Sequence, residues 1–323
     1  MRASARRYLP GTLVSVACLV ALFWIVDVGA LRRIGEQFDP VYAGVFVALC
    51  FAIQLIAAER WRRLLGRQIH YRDALAATVL GFGGNMVLPA RGGDLARVYY
   101  SARLGPMALH KPLSRLVLEK VLDLLAAFLF GGAGLLWLAR SSPEDDRLET
   151  AAWPVLAAAV LLPVLIASGS RLLGQRLQDR VPRFARPVVA QLEEGLVDFR
   201  EASRTTALGV PAVLTGATWL LIYPICFWAA GRMVGVDLGF AELQVLMLAA
   251  TVGYAIPDAP SAIGTLHASL LSAFALMGRH HDEGISYAIA LHSGFFIVFL
   301  VAAAALFPLL SGRGAMFREN AET

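Results

Sequence analysis

"NMVLPARGGDLARVYY", residues 85–100, sets a proline, two adjacent glycines and three charges between stretches apolar enough to enter a bilayer. How this segment is read decides the fold. The whole chain is 323 residues, 58% hydrophobic and only 16% charged, where a soluble domain carries about 25% charge. Mean hydropathy is +0.62. The apolar residues fall in long blocks, roughly 8–28, 41–58, 116–138, 152–170, 207–231, 241–256 and 286–310. A spanning helix needs about 20 such residues, whereas a barrel shows short alternating segments. The sequence therefore specifies an all-α polytopic integral membrane protein. The net charge of +5 is the bias expected of cytoplasmic loops rather than a nucleic-acid surface. Cys18, Cys50 and Cys226 lie inside apolar blocks without ligand-like spacing, so neither disulfides nor zinc is expected. Arg2, Arg6 and Arg7 precede an apolar run longer than a signal peptide's core, which reads as a retained first helix.

Arginine sets the topology. Arg60, Arg62, Arg63, Arg67 and Arg72 follow the second block. Arg171, Arg176, Arg180, Arg183, Arg186, Arg200 and Arg204 precede residue 207, while 139–151 carries Glu144, Asp145, Asp146 and Glu149. The positive-inside rule puts both termini, 59–73 and 171–206 in the cytoplasm, with 29–40 and 139–151 outside. Block 41–58 then ends inside and block 116–138 starts inside, so residues 73–115 must enter and leave from one face. Segments 73–84 and 94–104 are each too short to cross at about 1.5 Å per residue. They read as the arms of a re-entrant hairpin broken at Asn85–Gly93, or as two tilted crossings. Irregular backbone at membrane depth is tolerated where protein shields it or a watery cavity meets it.

The chain aligns with itself. Pro260-x3-Gly264 in "YAIPDAPSAIGTLHASL" matches Pro89-x3-Gly93 at a shift of 171, which also carries 41–58 onto 212–229 and 116–138 onto 287–309. Two units follow: a first repeat over 1–140 and, after an external loop at 141–151, a second over 152–310, with a cytoplasmic tail from 311. The second hairpin, 241–277, opens from the opposite face. This gives about six full spans plus two broken hairpins, or about eight spans, in an inverted-topology repeat. Paired broken helices of this kind mark a transporter's substrate site.

Charges cluster at the first break. Arg91 lies at it, and Asp94 and Arg97 sit one turn apart on the returning arm. Arg115, Glu119 and Asp123 follow at i, i+4 steps on one face of the next span. A mid-bilayer charge costs about 2.5–3.5 kcal/mol on insertion scales and so serves a pair, a wet cavity or a site. The arginine forks and the amides freed at the Gly92-Gly93 turn suit an anionic lipid headgroup, with Glu119 and Asp123 holding the arginines when it is absent or exchanging protons. An interfacial salt-bridge cluster that merely seats the hairpin is the structural alternative. The second hairpin offers Asp258, at a proline-flanked break, and His267, a packing residue or a proton site; His292 is read in the same way. His280, His281, Asp282 and Glu283 read as a polar loop rather than a metal cluster. "GFGGN" at 81–85 lacks the context of a dinucleotide fingerprint and suits close helix packing.

The pattern Asn85-x3-Pro89-x-Arg91-x-Gly93-Asp94-x2-Arg97, followed by "LEKVLD" at 118–123, resembles the flippase-like membrane proteins related to the transmembrane region of lysylphosphatidylglycerol synthase. The likeness implies matching positions at Pro89, Gly93, Asp94, Arg97, Glu119 and Asp123, and at Pro260 and Gly264 in the second half. Asp94 stands where Glu is usual, Lys120 where Arg is, Ser261 where Gly is, and His267 where Glu often is. The resemblance implies a bacterial inner-membrane translocase or carrier for an anionic or phosphate-bearing lipid: a phospholipid, a hopanoid or a polyprenyl-linked lipid. It is expected to be neither an enzyme nor dependent on a cofactor, and to meet lipid, lipid-modifying enzymes or a second copy of itself. The rival expectations are a metal-dependent transferase acting on an isoprenoid or glycolipid, with Asp94, Glu119 and Asp123 as ligands, and a scaffold that transports nothing.

Overall fold

The computed structural model describes residues 34–88, 91–105, 107–141, 146–173, 201, 208–255 and 260–319. The expected span at 8–28, Cys18, the loop arginines from Arg176 to Arg204, and Pro89 and Asp258 lie outside these residues. Within them every regular element is helical. The helices are α1 (Pro40–Leu64), α2 (Tyr71–Val87), α3 (Gly92–Leu104), α4 (His110–Ser141) and α5 (Asp146–Leu173). They continue with α6 (Gly209–Met233), α7 (Phe240–Ala255), α8 (Thr265–Leu276) and α9 (His281–Glu319). Among the described residues, α1, α4, α6 and the 281–306 portion of α9 are long and apolar enough to cross a bilayer. The chain is a multi-pass, all-helical membrane protein. Its outward faces carry apolar side chains that water would not tolerate in such number: Val41, Trp137, Val160 and Val213 are each at least two-thirds exposed.

Local chemistry sets the boundaries. Asp39 caps α1 by accepting from the Val41 amide at 2.8 Å, ahead of Pro40 in the first turn. Gly66, at φ 66°, closes the other end. α2 stops where Leu88 turns extended, the conformation a following proline imposes. Within α6, Thr218–Ile222 forms a π-turn in which the Tyr223 amide reaches back to the Thr218 carbonyl. Pro224 follows directly; it has no amide to donate, and its ring displaces the carbonyl four residues before it.

Helices α1 and α6 pack antiparallel. The Asp39 amide donates to the Met233 carbonyl at one end, and Arg60 reaches Thr215 near the other. A core of Phe46, Cys50 and Ile53 against Cys226, Phe227 and Phe295 lies between them. The two hairpins point in opposite directions. α2 and α3 open at the end where Leu65, Ile69, Leu104 and Leu113 cluster. α7 and α8 open at the end where Arg279 meets Glu242 and the Asp237 carbonyl. α2 packs on α9, and α7 on α4. A side chain on Gly83 would strike Ala303 of α9, and one on Gly134 would lie 2.8 Å from the Ala241 carbonyl of α7. Lipid supplies little hydrophobic drive between helices, so close backbone approach through small residues holds such contacts.

Candidate functional site

The tip of the first hairpin is built by backbone contact. A Cβ on Gly93 would collide with the Gly81 carbonyl and the Asn85 amide, and one on Gly84 would sit 2.8 Å from the Gly93 Cα. Only glycine permits arms this close. The break itself is shorter than the expected Asn85–Gly93. Asn85 is still helical, and Gly92 and Gly93 already belong to the first turn of α3. From α2, Asn85 then serves as a cap for α3: its Oδ1 accepts from the Asp94 amide and its Nδ2 donates to Asp94 Oδ1, both at 3.1 Å. Arg91, in the left-handed region at φ 56°, donates from Nε to Asp94 Oδ2 at 3.1 Å. Lys120 of α4 lies 3.2 Å from the same oxygen.

A second, deeper cluster adjoins the first. Arg97 is fully buried and makes a fork to Glu119, with Nη2 to Oε2 at 2.7 Å and Nη1 to Oε1 at 3.1 Å. Its guanidinium carbon stacks 3.9 Å over the Trp61 ring. Trp61 is itself fixed by donating from Nε1 to Ser101 Oγ at 2.9 Å. Arg60, also buried, donates to Glu119 at 2.9 Å and grips both oxygens of Asp123 at 2.6 and 3.1 Å. Helix α6 completes the arrangement. Thr215 Oγ1 accepts from Arg60 at 3.0 Å, and Trp219 Nε1 donates to Asp123 at 3.3 Å. Thr215 precedes the π-turn and Trp219 lies within it, so the irregularity sets the angle between them.

The charge count divides these clusters. In the deeper one, Arg60 and Arg97 face Glu119 and Asp123, two against two, for a net of zero. Among the described residues at the hairpin tip, Arg91 and Lys120 face Asp94, two against one, for a net of +1. The excess sits on the exposed cations, with side chains 43% exposed for Arg91 and 32% for Lys120, against 6% for Asp94.

The second break closes on the first. Arg91 Nη1 donates to the Tyr254 carbonyl at 3.3 Å, and Ser261 Oγ lies 3.4 Å from Met86 Sδ. Pro260–Ala262 forms a single 3-10 turn with Ser261 at φ 62° and Ala262 at φ 54°, and Gly264 leads into α8 at φ 102°. His267 is buried on the first turn of α8, beside His292 of α9.

The structure thus gathers Asn85, Arg91, Gly93, Asp94, Arg97, Glu119 and Asp123 in one region, and brings Pro260, Gly264 and His267 up to it from the opposite hairpin. The expected roles shift in one respect. Arg97 spends both its terminal nitrogens on Glu119 out of reach of solvent, which leaves Arg91 and Lys120 as the accessible cations. Arg60, read from the sequence as loop charge, instead occupies the buried end of α1. The signal was present: Ile53, Ala57, Arg60, Trp61 and Leu64 share one helical face. Thr215 and Trp219 escaped because a lone hydroxyl and an indole in an apolar span carry no charge signal. His281–Glu283, expected as a loop, forms the first turn of α9, where its two carboxylates complement the helix dipole.

Comparison with known proteins agrees with this architecture. The family model of the lysylphosphatidylglycerol synthase transmembrane region matches residues 9–310. A UPF0104 membrane protein of Methanothermobacter thermautotrophicus is 21% identical over 281 residues, covering 82% of each chain. Glycosyltransferase AglD of Haloferax volcanii is 26% identical over 140 residues, which is 42% of this chain and 22% of that protein. No solved structure matches. With the family model spanning nearly the whole chain, the protein belongs to the lysylphosphatidylglycerol synthase transmembrane-region family.

Proposed function

We propose that the protein is a lipid translocase, a flippase-like carrier that accepts an anionic or phosphate-bearing headgroup between two inverted halves. The observation that carries this reading is the junction of the two helix breaks, where Arg91 and Lys120 leave one positive charge uncompensated beside Asp94. An excess of +1 against a shielded break is complementary to one phosphodiester. The α3 N-terminus adds its dipole and the amides of Gly92 and Gly93. Moving a headgroup through hydrocarbon strips its water, and fixed donors of this kind replace that hydration while the tails stay in lipid.

The repeat supports the same reading. At a shift of 171, α1 falls on 211–235, α2 on 242–258, α3 on 263–275 and α4 on 281–312, close to the bounds of α6, α7, α8 and α9. The packing roles exchange as a two-fold demands, α2 on α9 and α7 on α4. The antiparallel α1 and α6 support an inverted relation, and the positive-inside rule orients it in our reading: the first hairpin opening to the cytoplasm, the second to the far side, and both termini inside a cytoplasmic (inner) membrane.

A metal-dependent transferase fits less well. Both oxygens of Glu119 and of Asp123 are taken by guanidinium groups, and Asp94 is held by Arg91, Lys120 and Asn85. The glycosyltransferase likeness spans too little of that protein to carry its chemistry over. The test is protein reconstituted in phosphatidylcholine vesicles bearing fluorescent phosphatidylglycerol, with dithionite bleaching the outer leaflet. Active vesicles should lose nearly all fluorescence and return chemically unchanged lipid. Arg91→Gly is the decisive variant: glycine suits φ 56° at no backbone cost, so the protein should fold while bleaching slows at least about tenfold. Bleaching that stops at the outer leaflet for the wild type overturns the proposal.

A further inference from the structure

We infer that Ser261, His267 and His292 form a proton-binding site whose occupancy is read by the contact between the two hairpins; its consequence for transport rests on the translocase reading above. The two imidazole rings lie with centroids 4.9 Å apart and interplanar angle 54°, both buried. They come from α8 and α9, so they meet only in the folded protein. His267 Nδ1 is buried and has no hydrogen-bond partner among the described residues. That is unusual for a polar atom inside a protein and leaves one open position on the pair. His292 Nε2 is 2.7 Å from Ser261 Oγ.

Ser261 makes the pair more than packing. Its hydroxyl has one proton to give and two neighbours able to take it, His292 Nε2 at 2.7 Å and Met86 Sδ at 3.4 Å. If His292 Nε2 carries no hydrogen, the hydroxyl donates to it and leaves the sulfur unpaired. If Nε2 carries one, as it must in the imidazolium, it donates to Oγ and the hydroxyl turns to Met86. Met86 belongs to α2 of the first hairpin, whereas Ser261 sits in the turn of the second. The position of a proton on His292 therefore decides whether a hydrogen bond ties the two breaks together. The second ring lets the pair hold one proton but not two, since adjacent imidazolium groups repel.

Cys50 of α1 and Cys226 of α6 are buried in the core cluster that Tyr254 of α7 packs against, and the Tyr254 carbonyl accepts from Arg91. α2 presents Met86 there. Among the described residues no carboxylate pairs with either ring. Asp258 precedes Ser261 by three residues in the chain and is included in the test as Asp258→Asn. The ligand is a proton, and the class of process is lipid movement coupled to a pH gradient.

Two measurements on the full chain separate this site from the translocase reading. The first is nitrogen-15 NMR of labelled histidine in nanodiscs across roughly pH 5–8. The His267 and His292 signals should report a single shared proton, and His267→Gln should alter the titration of His292. Two independent titrations, or none, overturn the site whatever the protein transports. The second is bleaching of fluorescent phosphatidylglycerol in vesicles under an imposed pH gradient. Wild type should respond to the gradient at least fivefold, and His292→Gln should keep movement without a gradient while losing the response. Asp258→Asn should retain the response; if it alone abolishes it, the coupling group is the carboxylate and the inference fails. A His292→Gln protein with an unchanged gradient response overturns it equally. A shared proton in NMR with no lipid movement in wild type would sink the translocase reading and leave the site standing.

Discussion

Replacing Glu119 with glutamine tests the buried ion network most directly. Glu119 is 1% exposed and receives three hydrogen bonds, two from Arg97 and one from Arg60. Glutamine has nearly the same shape but presents an NH2 group where one carboxylate oxygen accepted, so it meets a guanidinium donor head-on. Arg60 retains Asp123, but among the described residues Arg97 bonds no other carboxylate, and it has no access to water. Removing one member of a buried pair costs about 3–5 kcal/mol. Glu59→Gln is the internal control. Its partners Arg62 and Arg63 form half-buried pairs within α1, and pairs of that kind contribute about 0–1 kcal/mol. Reversible unfolding in mixed micelles would give both values. A cycle of Arg97→Met, Glu119→Leu and the Arg97→Met/Glu119→Leu double variant isolates the coupling, and the double variant should recover much of the loss because its fit is apolar on both sides. If Glu119→Gln unfolds within about 0.5 kcal/mol of wild type, the network is not an energetic unit and the account of why α1, α3 and α4 converge is wrong.

Other consequences are as accessible. Gly93→Ala should fail to give a monodisperse protein, because its Cβ collides with the Gly81 carbonyl and the Asn85 amide, while Gly44→Ala, with open space around the site, should behave as wild type in gel filtration. Gly264→Ala forces a side chain into φ 102° and should cost about 1–3 kcal/mol of stability by unfolding in micelles. Cysteines at Arg279 and Arg67 should be labelled by a membrane-impermeant reagent from opposite faces. Labelling of both from the cytoplasm would refute the opposed hairpins. Trp219→Phe removes the indole donor to Asp123 and should slow lipid bleaching in vesicles without changing the melting profile by more than a few degrees.

The relation between the halves has a chemical asymmetry worth noting. At the shift of 171, Glu119 corresponds to Ala290 and Asp123 to Gly294, so the proposed second repeat lacks these two carboxylates. What it offers instead, Ser261 and the two histidines, is neutral or singly charged.

Much of this was legible in the chain alone. Helix bounds followed from block length and from proline and glycine at the breaks. The hairpins were expected because two arms too short to cross lie between longer apolar blocks, and α2 with α3 and α7 with α8 do pack as adjacent pairs. Gly93 and Asp94 declared themselves because a glycine pair followed by a charge inside hydrocarbon has few explanations. Arg60 did not, since an arginine near a helix end looks the same whether it faces a loop or a partner helix. The pairings Arg97 with Glu119, Arg60 with Asp123, and His267 with His292 join residues 22, 63 and 25 positions apart. Periodicity speaks only for neighbours one turn away, so which charge neutralises which was settled when helices distant in sequence packed side by side, burying Arg60, Arg97 and Glu119 and leaving Arg91 and Lys120 partly exposed.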